Sequence, residues 1–148
     1  MEAATALYEQ DFYAWTQEQV KLIQVGSFSA IDYQHVIEEL QLMGAREKRE
    51  LMHRLEVLLM HLLKWKYQST RQCKSWIFTI KVQRSKLHYH FKNNPSLTNQ
   101  NTLKDTFEQA YAIAVLRAAK EINADEDIFP KTCEWTVPEV LDEEFYPE

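Results

Sequence analysis

The hydrophobic residues in the first part of the chain recur every three to four positions, which is the period of an α-helix. This spacing predicts a first helix from about Asp11 to Val25 and a second from about Asp32 to Met43, each with its aspartate as the N-terminal cap. A glycine directly after a periodic run is typical of a left-handed helix end. Gly26 and Gly44 are therefore predicted to terminate these two helices.

Three further helices follow from the same pattern. The spacing predicts a third helix from about Ala45 to Tyr67, a fourth from about Arg71 to Asn93 and a fifth from about Ser96 or Thr102 to Ile122. The third helix has the most regular apolar stripe, at Leu51, Leu55, Leu58, Leu59 and Leu62. A stripe of this width is typical of a helix that packs one face against a core.

The chain changes character after about residue 122. The segment is acidic and irregular, and only a short helix from Glu139 to Leu141, after Pro138, is predicted in it. A free, solvated tail would not need the two aromatic side chains of Phe145 and Tyr146, so we expect the tail to pack against the helices. The sequence thus predicts an all-α fold: one domain of residues 1–148, with an antiparallel bundle of four to five helices over about 8–122 and an irregular, partly helical tail over about 123–148.

Composition supports an ordinary globular protein. The 148 residues are 45% hydrophobic and 26% charged, and they contain only two glycines and four prolines. No apolar run approaches the ~20 residues of a membrane span, and the N-terminus lacks the layout of a secretion signal. Two cysteines are too few for a disulfide or zinc framework, so we expect a cytoplasmic protein with no cofactor and no membrane partner.

Charge is distributed unevenly along the chain. Residues 57–104 hold nine Lys and Arg residues and no Asp or Glu, whereas the segments on either side are acidic. On the fourth helix, four basic side chains share one side and are candidates for nucleic-acid contacts: Lys74, Lys81, His88 and Lys92. The favoured interpretation is that basic and acidic helices balance one another, because the pI of about 5.6 is not that of a nucleic-acid-binding domain.

Two short patterns suggest specific chemistry. Glu50 and His53 form a Glu-x-x-His pair of the kind that binds metal in helical bundles, although a solvated helix face is the simpler interpretation. Arg84 and His90, with His88 between them, resemble the Arg-x(4–6)-His motif of HEPN ribonucleases, which need no metal. In that class Arg holds phosphate and His transfers a proton. In that class an Asn, Asp or His usually follows the Arg, and Ser85 departs from this pattern.

The fourth helix carries a second apolar face and a polar residue among its core positions. Phe78, Val82 and Tyr89 predict a central helix or a contact in a homo-oligomer. Gln83 is predicted on the apolar face, where its amide needs a partner such as His61 or Arg71.

An ordered series of short motifs along nearly the whole chain carries a family resemblance. The motifs are Tyr8 to Trp15, Ile37 to Leu40 with Gly44, His61 to Trp65, Ser75 to Ile80, Gln83-Arg84, Asn94 to Leu97, Ala110-Tyr111 and Phe129-Pro130. They are similar to those of a bacterial, mainly cyanobacterial, family called domain of unknown function 29 (DUF29). The resemblance implies a helical bundle and no particular activity.

The family motifs also contain a set of mainly polar residues that would form either a buried network or a ligand pocket. Its members are Glu38, Glu39, His61, Lys64, Trp65, Arg71, Ser75, Trp76, Gln83 and Arg84. The leading hypothesis is a non-enzymatic protein that acts by association with itself or with a partner protein. The alternatives are RNA binding or cleavage by the basic stretch, and a small-molecule or metal pocket on the Glu, His and Arg residues of this set.

Overall fold

The computed structural model describes the backbone of residues 2–148 and the side chains from residue 6 onward. Within that range the chain is helical and has no strand. Its six α-helices are α1 (Glu2–Gln10), α2 (Phe12–Gln24), α3 (Tyr33–Tyr67), α4 (Lys74–Asn93), α5 (Gln100–Ile122) and α6 (Val137–Leu141). The predicted all-α class is therefore confirmed. No helix in the described part is both long and apolar enough to cross a membrane.

The ends of several helices follow the capping chemistry of the sequence. Asp11 caps α2 through its side chain, and Gly26 follows that helix with a φ of +78°, which favours glycine. Asn123 takes the same left-handed conformation after α5. Thr136 and Glu139 form a reciprocal capping box at the start of α6, with Pro138 in its first turn.

The predicted break at Gly44 is wrong, because α3 runs without interruption from Tyr33 to Tyr67. Gly44 does not have a positive φ, and so it is an interior helical residue rather than a cap. A glycine inside a helix costs only about 1 kcal/mol relative to alanine, and a long helix on both sides offsets this. The structure also contains a helix, α1, that lies before the first predicted one.

The chain divides into two compact units, Met1–Arg46 and Glu47–Glu148, whereas the sequence predicts one domain. In the first unit, Trp15 and Ile31 are the buried apolar residues, and Gln19 and His35 are buried with them. The α3 side chains that the sequence places at helical spacing, Ile37, Leu40 and Met43, are instead more than half exposed.

The second unit contains the main core. The five leucines of the predicted stripe are completely buried, and they pack in one cluster with side chains of α4, α5 and α6. From α5 the cluster takes Phe107, Tyr111 and four alanines, whose small side chains allow close packing. Phe145 and Tyr146 pack against this core, as the sequence predicts for the tail.

Candidate functional surfaces of the fourth helix

Helix α4 has a different neighbour or environment on each of its sides. Three contacts show that it runs antiparallel to α3: His90 lies near Glu47 and Glu50, Arg54 donates to Gln83, and Lys64 lies over the Trp76 ring. The C-terminal tail covers a second side, and a third side is open to solvent.

On the tail side, Arg84 holds residues 140–145 in place. Arg84 is 1% exposed, and its guanidinium donates from Nε to Val140 O at 2.9 Å and from Nη2 to Phe145 O at 2.6 Å. A longer contact of 3.5 Å reaches Glu143 O, and the Tyr146 ring lies 5.3 Å from the guanidinium carbon. Desolvation lowers the pKa of Arg84. Backbone carbonyls are its acceptors, which identifies Arg84 as a clamp for the tail.

The two histidines near Arg84 have different partners. His88 Nε2 lies 3.1 Å from Leu141 O in the tail, whereas His90 Nε2 lies 2.9 Å from Glu47 O on α3. Arg84 and His90 therefore engage different elements, and this arrangement gives no support to the ribonuclease hypothesis, which requires both side chains at one phosphate.

The solvent side of α4 combines apolar and basic residues. Phe78, Val82 and Tyr89 are 61%, 46% and 67% exposed. At 100° per residue they lie within about 40° of one another. We call them the α4 stripe. Four exposed lysines flank it, three on one side and one on the other: Lys74, Lys81, Lys92 and Lys86. Helix α4 contains no acidic residue, and these lysines have no ion pair among the side chains described.

On the α3 side, His90 meets two carboxylates. Its side chain is only 7% exposed, and Nδ1 lies 3.6 Å from Glu47 Oε2 and 3.7 Å from Glu50 Oε2. The ring is oriented by its other nitrogen: a carbonyl oxygen cannot donate, so Nε2 carries a proton and donates it to Glu47 O. These residues line a cleft of about 450 Å³ together with Arg54, Lys86, Tyr89, Asn93 and Asn94.

Arg54 fixes one side of this cleft. It donates from Nε and Nη2 to the same oxygen of Glu50, Oε1, at 3.0 and 2.8 Å. This hydrogen bonding is the main cause that lowers the pKa of Glu50. The second oxygen of Glu50 is left directed toward His90.

The predicted polar set is divided among several local groups. Lys64 is buried, forms an ion pair with Glu121 and lies 4.6 Å from the Trp76 ring centre. His61 Nδ1 lies 2.8 Å from Val57 O, and burial lowers its pKa. Trp65 lies against Tyr146, with ring centres 5.1 Å apart.

Apart from the buried Arg84, the remaining members of this set have more exposed positions. Arg71 and Ser75 are exposed, as is Glu38 in the first unit, while Glu39 accepts a hydrogen bond from Tyr8. Gln83 is only partly buried, and its partner is Arg54 rather than His61 or Arg71. The prediction for Gln83 was one position off: Arg84, with Ile80 and Leu87, faces the buried side of α4.

The two residues of the Glu-x-x-His pair have different surroundings. Glu50 is held by Arg54, and His53 is exposed with no hydrogen bond among the described side chains. Sequence reasoning considered Glu50 and His90 separately and missed Glu47. The only available signal was the i, i+3 spacing of Glu47 and Glu50, because their approach to His90 depends on how two helices pack.

The first unit has its own polar centre at Asp32. The Trp15 indole donates to Asp32 Oδ2 at 3.0 Å, and His35 Nδ1 lies 2.7 Å from the same oxygen. The Tyr8 ring stacks on His35 with ring centres 3.9 Å apart. Desolvation raises the pKa of Asp32, but the hydrogen bonds from His35 and Trp15 outweigh it and lower the pKa overall. These contacts hold α1, α2 and the start of α3 together.

Comparison with known proteins identifies a family and no individual relative. The family model for Domain of unknown function DUF29 matches residues 7–146. No curated protein and no solved structure gives a significant match. The family match spans nearly the whole chain, and the chain therefore belongs to DUF29.

Proposed function

We propose that this DUF29 member is a non-enzymatic protein that associates with further copies of itself, using the α4 stripe as one half of the contact. The observation that carries the proposal is the exposure of Phe78, Val82 and Tyr89 in a single row between lysines. Aromatic residues in an apolar centre with a charged rim are characteristic of protein interfaces.

The lysines around the α4 stripe indicate which kind of surface can bind it. Two α4 stripes facing each other would oppose four lysines on each side, with no acidic residue on the helix to compensate. The favoured partner is therefore acidic as well as apolar. RNA is acidic, but the chain as a whole has a net charge of −5, which repels a polyanion.

The first unit of another copy has both required properties. Residues 1–46 contain seven acidic and two basic residues, a net charge of −5. Tyr33, Ile37 and Leu40 of α3 are 52%, 52% and 60% exposed and lie within about 60° of one another on the helix. We call these three residues the α3 face. The proposal is thus a head-to-tail contact between the α4 stripe of one copy and the α3 face of the next.

A head-to-tail contact makes open chains or closed rings rather than simple dimers, because each copy keeps one unused surface. Sedimentation velocity from about 10 to about 500 μM should show a mass that continues to rise with concentration. Raising the salt from about 0.1 M to about 1 M should weaken the association, since it shortens the Debye length from about 10 Å to about 3 Å.

Matched variants test the surface itself. Phe78→Gln with Tyr89→Gln removes the aromatic residues of the stripe and should give a monomer at every concentration. Leu116→Gln replaces a residue of α5 with similar exposure, 50%, and should leave the association unchanged. A wild-type protein that remains monomeric at the highest concentration would refute the proposal. So would fluorescence anisotropy showing that a mixed-sequence RNA binds the monomer through these lysines.

A further inference from the structure

We propose a second site on the molecule: Glu47, Glu50 and His90 form a binding site for one divalent transition-metal ion of the zinc type. The three side chains come from two antiparallel helices, α3 and α4, and each offers one donor atom within 4.8 Å of the others. None of its three ligands belongs to the α4 stripe, although Tyr89 of that stripe lines the same cleft. The metal site does not rest on the proposed association.

The distances between His90 and the two carboxylates suit a shared metal ion better than direct hydrogen bonds. The separations of 3.6 and 3.7 Å between His90 Nδ1 and the two carboxylates are longer than a hydrogen bond. Zinc–nitrogen and zinc–oxygen bonds of about 2.1 Å in a tetrahedron place neighbouring ligand atoms about 3.4 Å apart. The two histidine–carboxylate separations are within a few tenths of an ångström of this value, and all three donor atoms lie within 4.8 Å of one another.

His90 is oriented like a metal ligand. Metal-bound histidines commonly donate their other ring N–H to a backbone carbonyl or a carboxylate, which fixes the ring and its tautomer. Here Nε2 donates to Glu47 O at 2.9 Å, so the Nδ1 lone pair of the neutral ring is directed at the carboxylates. The side chain is more than nine-tenths buried, and Nδ1 has no hydrogen-bond partner within 3.5 Å among the residues described.

Arg54 supplies the corresponding support for Glu50. Its two hydrogen bonds to Oε1 hold the carboxylate and leave Oε2 as the donor toward the site. Lys86 also lines the cleft, so the two carboxylates are balanced by two cations before any metal binds. This balance disfavours Mg²⁺ and Ca²⁺, which depend on oxygen ligands and charge, and favours an ion that bonds well to imidazole nitrogen.

The test is a zinc titration of the full chain after removal of metals by a chelator. In competition with a chromophoric chelator, the wild type should bind one Zn²⁺ per chain, and millimolar Mg²⁺ should not displace it. Glu47→Gln and His90→Gln should each weaken binding by at least about 100-fold. Glu47 is 47% exposed, so its substitution preserves the fold even if the buried His90 variant is unstable.

His53→Gln is the matched control, because His53 is an exposed histidine three residues from Glu50 on the same helix. It should leave the affinity for Zn²⁺ unchanged. Absence of saturable zinc binding by the wild type would overturn the proposal, as would full affinity in Glu47→Gln. Loss of binding in His53→Gln alone would also overturn it and would assign the metal to the Glu-x-x-His pair. The protein could fail to bind metal and still self-associate, or bind metal and remain monomeric, so the two proposals are tested separately.

Discussion

Replacing Arg84 by alanine should release the C-terminal tail from the second unit. The guanidinium is the common donor for the carbonyls of Val140 and Phe145, with a weaker contact to Glu143. Alanine would leave these carbonyls without their donor and would open a cavity at a position that is 1% exposed. The Tyr146 ring would also lose the cation beside it.

The expected cost follows from the two short hydrogen bonds. A hydrogen bond to a charged group contributes about 1.5–3 kcal/mol, so two of them give about 3–6 kcal/mol. Breaking a buried charged interaction by removing one partner costs about 3–5 kcal/mol in other proteins, which agrees with this range. We expect a decrease of about 3–5 kcal/mol in the free energy of unfolding, out of a total of about 5–15 kcal/mol for a domain.

Urea unfolding gives the total loss, and amide hydrogen exchange shows where it occurs. Exchange in α6 and the following residues should accelerate more than exchange in the leucine core of α3, because the tail depends directly on Arg84. Arg84→Lys keeps the charge but loses the forked donor geometry, so it should recover only part of the stability. Arg71→Ala, at an exposed arginine, is the control and should change stability by less than about 0.5 kcal/mol.

A loss below about 1 kcal/mol for Arg84→Ala would refute this reasoning. Equal acceleration of exchange throughout the second unit would refute the more specific claim that Arg84 acts through the tail.

The remaining predictions concern backbone conformation and pH. Gly44→Ala should stabilise the protein by about 0.5–1 kcal/mol, because Gly44 lies inside a helix. Gly26→Ala should destabilise it, because Gly26 has a φ of +78°. Thermal unfolding that shows the opposite signs would indicate that the helix does end at Gly44. Glu121→Gln should cost about 1–2 kcal/mol at pH 7, since it leaves the buried Lys64 without its partner, although Glu121 itself is 46% exposed. Hydrogen bonding from Lys64 lowers the pKa of Glu121. The stability difference between the wild type and Glu121→Gln should therefore shrink as the pH falls below the ordinary Glu value of about 4.3. A stability difference that is constant with pH would contradict the ion pair. Desolvation lowers the pKa of His61, so the unfolded state takes up the proton first as the pH falls. The free energy of unfolding should therefore decrease at pH values below about 6.5, by at most about 1.4 kcal/mol per pH unit. An unchanged slope in His61→Gln would show that His61 is not the cause.

Local signals in the sequence were sufficient for much of the fold. The leucine stripe of α3, the cap at Asp11, the turn at Gly26 and the short helix after Thr136 all depend on neighbours within one or two turns. Gly44 shows the limit of such signals, because the same residue type that ends α2 lies inside a continuous helix when the sequence on both sides remains helical.

The candidate sites were less predictable because they depend on contacts between distant segments. The exposed row of Phe78, Val82 and Tyr89 could be identified from helical periodicity alone. The role of Arg84 could not, since its acceptors lie 56 to 61 residues later in the chain. Likewise, the meeting of His90 with Glu47 spans 43 residues and requires the packing of two helices.

The most direct test of the proposed association is to mix two variants that are each blocked on one surface. One carries Phe78→Gln and Tyr89→Gln in the α4 stripe, and the other carries Ile37→Gln and Leu40→Gln in the α3 face. A head-to-tail contact predicts that each variant sediments as a monomer alone and that their mixture forms a complex of one copy of each. A mixture that remains monomeric, although the wild type associates, would contradict the account, as would self-association of the α3-face variant alone.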